Sequence, residues 1–479
     1  MTDAPPPSDG LRPEVLRAAE AALRRLAPDL PGYATDLMRR LHAAVPTAEL
    51  AATPPEEIAE AAASLAAFAA GRAPGEAKVR LTPGRGGGAV AEVVTDDMPF
   101  LVDSALAALT SRGRTVRQLL HPIVPVRRDA AGRLLGIDDS VTAHESMMRI
   151  ALGGAAVAPG GEEAAALEGA LARAMADVRR AVTDFPEMLA RLRAAEAEVG
   201  GGEEAEFLRW MADDNFVLLG HRLMTLGADG AIGVEEGENL GLLRDASVSV
   251  FDALRDLSAV PPALRATLPR LEAVAVAKAN MRATVHRPQH ADAVMTRLRD
   301  AEGRIAGARI FLGLFAAGAY NRNPRSIPLL RGKVLRVLAA AGLDEESHDG
   351  RALRNILDTW PRDELFQAPE REILAGCLRA LDLTIRPRAA LVIRRDPFER
   401  FVSAIAWLPR DTFDTAMRER VGGMIARAFG GRLSAFYTTL ADAPLARVHF
   451  VIGTTPGAVP AVDDAALEAA VAQAARGFR

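Results

Sequence analysis

The period of the apolar positions changes along this chain, and the changes mark out its elements. Between Leu11 and Val45, Leu, Ala and Arg recur at amphipathic helical spacing, with a break at Pro28 to Gly32. A second helical segment, Pro55 to Ala70, opens on Glu56 and Glu57, whose carboxylates suit the positive end of a helix dipole. The period then shifts. Ala89 to Val94 is short, apolar and β-branched, with Gly88 in front of it, and reads as a buried strand. Asp96, Asp97, Met98 and Pro99 follow. Pro99 is expected in a first helical turn, where its missing N–H costs nothing. Phe100, Leu101, Leu106 and Leu109 supply the apolar helical face. A strand therefore enters a helix through a tight acidic turn, Asp96 to Pro99, whose backbone N–H groups can hold an amino-acid carboxylate or a phosphate. A capped core helix is the plainer reading of the same residues.

Val116 to Arg127 reads as a strand, Asp129-Ala130-Ala131-Gly132 as a hairpin turn, and Leu134 to Asp138 and Ser146 to Leu152 as further strands. Glu162 to Val182 is a long helix. Strand, helix, two or three strands, helix is compatible with a ferredoxin-like sandwich, an α+β class in which helices cover an antiparallel sheet. After the Gly200–Gly202 linker, a helix over Glu203 to Met211 ends at Asp213-Asp214-Asn215. Strands are expected at Phe216 to Leu226, Ala273 to Val285, Ala291 to Leu298 and Arg304 to Ala316. Two hairpins share a spelling, RDAAGRLLG from Arg128 and RDAEGRIAG from Arg299, which common turn chemistry explains without duplication. Helices follow at Leu329 to Ala341, Gly350 to Thr359 behind Ser347, from Pro361, and at Pro369 to Leu381. The last module pairs strands at Ala389 to Arg395 and Phe401 to Leu408 with a helix over Asp411 to Ala428. It continues with strands at Leu433 to Leu440 and Arg447 to Ile452, and a helix over Asp463 to Arg476. If Phe401 begins a βαββαβ unit, its last strand is missing. Either the Ala389 strand fills the slot or the chain continues in a longer parent.

Composition narrows the classes. Of 479 residues, 49% are hydrophobic and 25% charged, a globular balance in a chain long enough for roughly three domains. Net charge is −4, so no basic field favours nucleic acid. The one cysteine, Cys377, excludes an intrachain disulfide framework and argues for a reducing, cytoplasmic setting. Met1 to Gly10 lacks the pattern of a signal peptide. The longest apolar run, Ile310 to Tyr320, is too short to span a bilayer, so no membrane partner is expected.

Catalytic fingerprints are missing: no GxGxxG, P-loop, GxSxG or HExxH occurs. Gly84 to Gly88 precedes a strand, the wrong order for a phosphate loop, and reads as a flexible turn. His286 and His290 have the spacing of a helical metal pair, but Pro288 lies between them in strand-like surroundings, so no metal is expected. Asp213-Asp214 reads as a helix-to-strand turn. Arg394-Arg395-Asp396 is either an anion contact or a charged strand end. Trp210, Trp360 and Trp407 lie too far apart in sequence to suggest a stacking platform, and Cys377 reads as a buried small residue.

Several ordered words nevertheless resemble one family. They are Asp96 to Ser104, His121 to Val126, Phe207 to Phe216, Arg309 to Phe315 with Ala319-Tyr320-Asn321, and Ser347 to Gly350. Further words are Pro361 to Gln367, Val392 to Phe398 and Ala446 to Phe450. Together they resemble the N-terminal segment of the large bacterial NAD-specific glutamate dehydrogenases, from about Leu81 onward. The resemblance implies tandem ferredoxin-like (ACT-like) modules flanking a PAS-like mixed module, joined by helical segments. The division would be 1–75 helical, 78–155 first ACT-like, 160–200 helical linker, 203–322 PAS-like, 325–385 helical connector and 386–479 second ACT-like, possibly shortened. It implies a regulatory and oligomerising role, with self-association through the ACT-like modules. A small amino-acid effector would bind at Asp96, Asp97, Met98 and Pro99. The partner would be a glutamate dehydrogenase catalytic region in cis or trans. The family's catalytic lysine and nucleotide fold are not matched here, so NAD is expected in the parent enzyme, no cofactor in this chain, and no activity from it alone. A stand-alone ACT/PAS-type sensor or adaptor is the alternative.

Overall fold

A computed structural model describes residues 11–84, 88–154, 156–158, 160–227, 232–245, 248, 250, 273–397, 399–440 and 443–476. Met1 to Gly10 and the middle of the Gly84–Gly88 turn lie outside the described residues. The chain forms two compact units, Met1–Thr183 with Ala283–Gln289, and Asp184–Arg282 with His290–Arg479.

In the first unit, helices α1 (Leu11–Leu26), α2 (Tyr33–Leu41), α3 (Thr47–Ala52) and α4 (Pro55–Ala69) lead to a six-stranded antiparallel sheet. Its strands are β1 (Lys78–Pro83), β2 (Ala89–Asp96), β3 (Thr115–Leu120), β4 (Ile123–Arg128), β5 (Leu134–Ile137) and β6 (His144–Gly153), in the order β1-β2-β6-β4-β5 with β3 also on β6. Leu37, Ile58 and Leu65 of the helices bury one face of this sheet against Val94, Val124 and Met147. All of β2 except Asp96 is buried, as suits a mainly apolar strand covered on both faces, and its one inner charge, Glu92, is paired with Arg80 and Arg149.

Two expectations need correction here. The strand expected from Val116 to Arg127 is two strands, because the His121-Pro122 step interrupts it and Pro122 has no N–H to give a ladder. Both halves pair in succession with β6, so they fill one position in the sheet. Helix α5 (Leu101–Thr110) begins after Pro99 rather than on it, since Phe100 adopts φ 71° and so closes the turn in a left-handed conformation.

Helix α6 (Glu162–Val199) continues well past the expected Val182 and carries Pro186 inside it. Its residues to Thr183 belong to the first unit and the rest to the second. In the second unit, α7 (Gly202–Trp210) turns at Asp214, φ 59°, into β7 (Phe216–Leu226), as the Asp213-Asp214 reading holds. A five-stranded antiparallel sheet follows, built from β7, β8 (Ile232–Gly241), β9 (Val274–Arg282), β10 (His290–Arg299) and β11 (Ile305–Phe315), in the order β8-β7-β11-β10-β9. Strand β8 escapes sequence reading because it is an edge strand with three glutamates, two internal glycines and little apolar alternation.

Short helix α8 (Ala317–Asn321) leads to α9 (Leu330–Ala341), α10 (His348–Asp358), α11 (Arg362–Gln367) and α12 (Glu370–Ile385). Ser347 caps α10 by accepting from the Gly350 N–H, as the sequence suggests. The last sheet contains β12 (Ala390–Arg395), β13 (Phe401–Pro409), β14 (Arg432–Thr439) and β15 (Leu445–Gly453), ordered β12-β13-β15-β14, with α13 (Thr415–Ala428) and α14 (Asp464–Ala475). Strand β13 is buried on both faces. Val402, Ala404, Ala406 and Leu408 meet α13 and α14, while Ile405 and Trp407 meet the α9–α12 helices. Strand β12 lies antiparallel beside β13 and so fills the slot that seemed empty in the sequence. Strand β1 stands in the same relation to β2 in the first unit. Both modules are thus ferredoxin-like sheets whose outer strand comes first in the chain.

Candidate functional site

The Asp96–Pro99 turn falls between a strand and a helix, as expected, but its first carboxylate is engaged. Asp96 pairs with Arg72 and, at 2.8 Å, with Arg179. Burial would raise its pKa, but the two guanidiniums outweigh burial and hold it below the usual carboxylate range. The Asp97 N–H donates to the His144 carbonyl at 3.0 Å. The segment Ala283–Gln289 packs beside the helix start. The His286 N–H donates to Ser104 Oγ at 3.0 Å, its ring lies 5.0 Å from that of Phe100, and its Nδ1 is 3.1 Å from Asp103 Oδ2. His286 and His290 have separate partners, since His290 Nε2 lies 2.7 Å from Ser434 Oγ. Among the described residues no cluster of three His, Cys, Asp or Glu side chains could hold a metal ion.

A second constellation, invisible to a linear reading, lies within the second unit. A cavity of about 620 Å³ is lined by Lys278 and His290 of the five-stranded sheet, Asp363 and Glu364 of α11, and Tyr437 and His449 of the last sheet. That size suits a small molecule. Packing fixes α11 at the cavity wall. Phe366 stacks on Phe315 with ring centroids 4.8 Å apart, and Arg362 donates to the Tyr320 and Arg322 carbonyls. Glu364 receives two hydrogen bonds from Arg394, at 2.6 and 2.7 Å, with both side chains almost fully buried. Asp363 is thereby aimed at Lys278.

Lys278 Nζ is 2.6 Å from Asp292 Oδ1, 3.1 Å from Asp363 Oδ1 and 3.4 Å from the Tyr320 hydroxyl. Burial opposes the ammonium, yet Asp292 and Asp363 outweigh burial and hold it well above its ordinary pKa. Burial pushes Asp292 up to about 6, with Lys278 opposing and Asp363 adding to the rise. Two carboxylates share one ammonium. His449 is bonded to Ser403 Oγ at 2.8 Å, and burial lowers its pKa against the opposing pull of Glu364, as burial also lowers that of His290. Arg400 pairs with Asp396 and donates to the Lys278 carbonyl at 2.7 Å.

The Arg394-Arg395-Asp396 stretch is a charged strand end with every charge matched inside the protein, since Arg395 pairs with Asp464 at 2.6 Å. Trp360 and Trp407, remote in sequence, pack 6.2 Å apart in the core, with Gly376 leaving room for the Trp360 ring. Cys377 is buried there, and burial raises its thiol pKa. The signal that could have exposed the cavity is charge inside apolar strands, Lys278 between Ala277 and Ala279 and Asp292 between Ala291 and Ala293. Tyr320, Asp363, Glu364, Asp396 and His449 all come from words that carry the family resemblance.

Both sandwich modules correspond to ACT domains. Residues 37–156 match the glutamate dehydrogenase ACT1 domain model, 327–386 its helical motif 1, and 390–479 its ACT2 domain. The ACT1 match includes α3 and α4, whose apolar residues join the core under the first sheet. The chain is 33% identical over 379 residues to the NAD-specific glutamate dehydrogenase of Halomonas elongata, covering 75% of this chain and 23% of that protein. It is 33% identical over 408 residues to that of Pseudomonas aeruginosa, covering 81% and 25%. With that of Mycobacterium tuberculosis it shares 30% over 404 residues, covering 80% and 23%. The chain belongs to the NAD-specific glutamate dehydrogenase family, and the matched stretch spans about a quarter of the length of these curated relatives.

Proposed function

We propose that these residues form a regulatory and oligomerising segment of an NAD-specific glutamate dehydrogenase. Hydride transfer from glutamate to NAD, giving 2-oxoglutarate and ammonia, would belong to a catalytic region in cis or trans. The observation that carries the reading is the pair of ACT modules with the same strand layout, one of which leaves an edge open. On β14, Phe436 and Tyr437 are half exposed and Leu440, just beyond it, is 61% exposed, an apolar edge suited to pairing with a second copy. The middle sheet, with strand order second, first, fifth, fourth, third, supports a PAS-like reading of that module. An amino-acid effector at Asp97, Met98 and Pro99 would bind beside Asp96, whose own carboxylate serves Arg72 and Arg179. A cytoplasmic setting agrees with the family, and among the described residues no helix is long and apolar enough to cross a membrane.

Calorimetric titration of the purified chain with the twenty amino acids tests the sensing role, and heat from at least one is expected. Its absence with all of them would remove that role. Glutamate-dependent NADH formation by the same preparation would overturn the assignment of chemistry to another region.

A further inference from the structure

The charges around the second-unit cavity do not all cancel. Glu364 is matched by Arg394, and Arg400 by Asp396. Lys278 is matched by Asp292, its nearest carboxylate, which leaves Asp363 sharing an ammonium already in use. Asp363 Oδ1 takes the Lys278 contact and the Tyr320 hydroxyl at 3.3 Å, and among the described residues no hydrogen bond reaches its Oδ2. At the mouth, Arg432 is exposed and makes no ion pair among the described residues. Beside it the wall is the Gly430-Gly431 backbone, where a side chain on Gly431 would collide with the Gly453 carbonyl at 2.5 Å. The cavity thus offers one spare negative charge at its wall and one spare positive charge at its rim.

We propose that this cavity binds a small zwitterion of the amino-acid class, its ammonium on Asp363 and its carboxylate on Arg432. A dicarboxylate would face Asp363 unpaired, and a diamine would face Arg432, so like-charge repulsion excludes both. The site lies apart from the Asp96–Pro99 turn in sequence and belongs to the other compact unit. This inference rests on the sensing reading proposed above and gives the chain a second amino-acid site, one that does not use Asp97, Met98 or Pro99.

The test is calorimetric titration of the full chain with the L-amino acids, followed by the same titration of Asp363→Asn, Arg432→Gln and Asp97→Ala. Asp363→Asn relieves a crowded carboxylate pair and Arg432 is exposed, so both variants are expected to fold, and circular dichroism checks this. The expected result is an amino acid whose affinity falls at least tenfold in each cavity variant and is unchanged in Asp97→Ala. The matching α-hydroxy acid, lacking the ammonium, and the amino-acid amide, lacking the carboxylate, should each lose binding. Affinity unchanged in both cavity variants but lowered by Asp97→Ala would overturn the cavity site and leave the sensing reading intact. No heat with any amino acid would overturn both.

Discussion

His221 is fully buried on β7, with Nδ1 2.9 Å from the Glu238 carbonyl. Burial is the chief cause that lowers its pKa to about 4. The unfolded imidazole titrates near its ordinary 6.5, so the neutral folded form gains stability above that pH and loses it progressively as pH falls toward 4. The full effect is about 3 kcal/mol. Asp292 acts in the opposite sense. Its folded carboxyl holds a proton from about pH 6, so acidification through that value favours the folded state. His221→Gln removes the first effect and keeps the second. Calorimetric melting between pH 6.5 and 4.5 should show the parent losing stability relative to this variant as pH falls, and parallel curves would contradict the assignment. The buried Glu364–Arg394 pair gives a second prediction. Glu364→Gln alone strands a guanidinium and should cost about 3–5 kcal/mol. The double variant Glu364→Gln with Arg394→Met should recover much of the loss, measured by denaturant unfolding. Such pairs are not legible in a sequence. Glu364 and Arg394 are thirty positions apart, and neither residue has a local pattern that names the other.

Elements were more legible than contacts, because hydrophobic period is local. Strand β7 appears at its expected bounds, and the breaks at Pro28–Gly32 and Gly342 fall where the chain turns. Strand β8 and helix α3 are not legible in the sequence, the first for want of apolar alternation and the second because six residues make too short a period. A strand-to-helix turn after Asp96 is legible in the sequence, whereas the helix start beyond Pro99 is not, because Phe100's left-handed backbone, an uncommon choice for an aromatic residue, has no sequence signal. The two like-spelled hairpins form the same turn. Asp129 and Asp300 each accept from backbone N–H groups two and four residues on, and Gly132 and Gly303 take φ of 80° and 79°. Their surroundings differ. A side chain on Gly303 meets open space, but on Gly132 it would lie 2.2 Å from the Arg72 carbonyl. Gly303→Ala should therefore cost about 1 kcal/mol, the left-handed backbone penalty alone. Gly132→Ala must in addition displace Arg72, which holds Asp96 and Glu145, and should destabilise the first unit several-fold more. Equal losses in thermal melting of the two variants would show that spelling, not packing, decides the cost.

For the whole molecule, the tandem ACT plan follows from fold and family together. Neither the cavity in the second unit nor the shared strand layout is legible in the sequence, because each depends on pairs of residues tens of positions apart. The open edge of β14 makes assembly a testable property. Phe436→Lys with Leu440→Lys puts charge on that edge and should weaken self-association at least tenfold while leaving helical content unchanged, because Leu440 is well exposed and Phe436 is half exposed, with the Arg418 guanidinium over its ring. Sedimentation velocity of the purified 479-residue chain, run across micromolar concentrations with and without each amino acid, tests the central claim most directly. The expected record is a self-associated species whose population shifts with at least one amino acid. A chain that sediments as a monomer throughout, with every amino acid and with none, would contradict it.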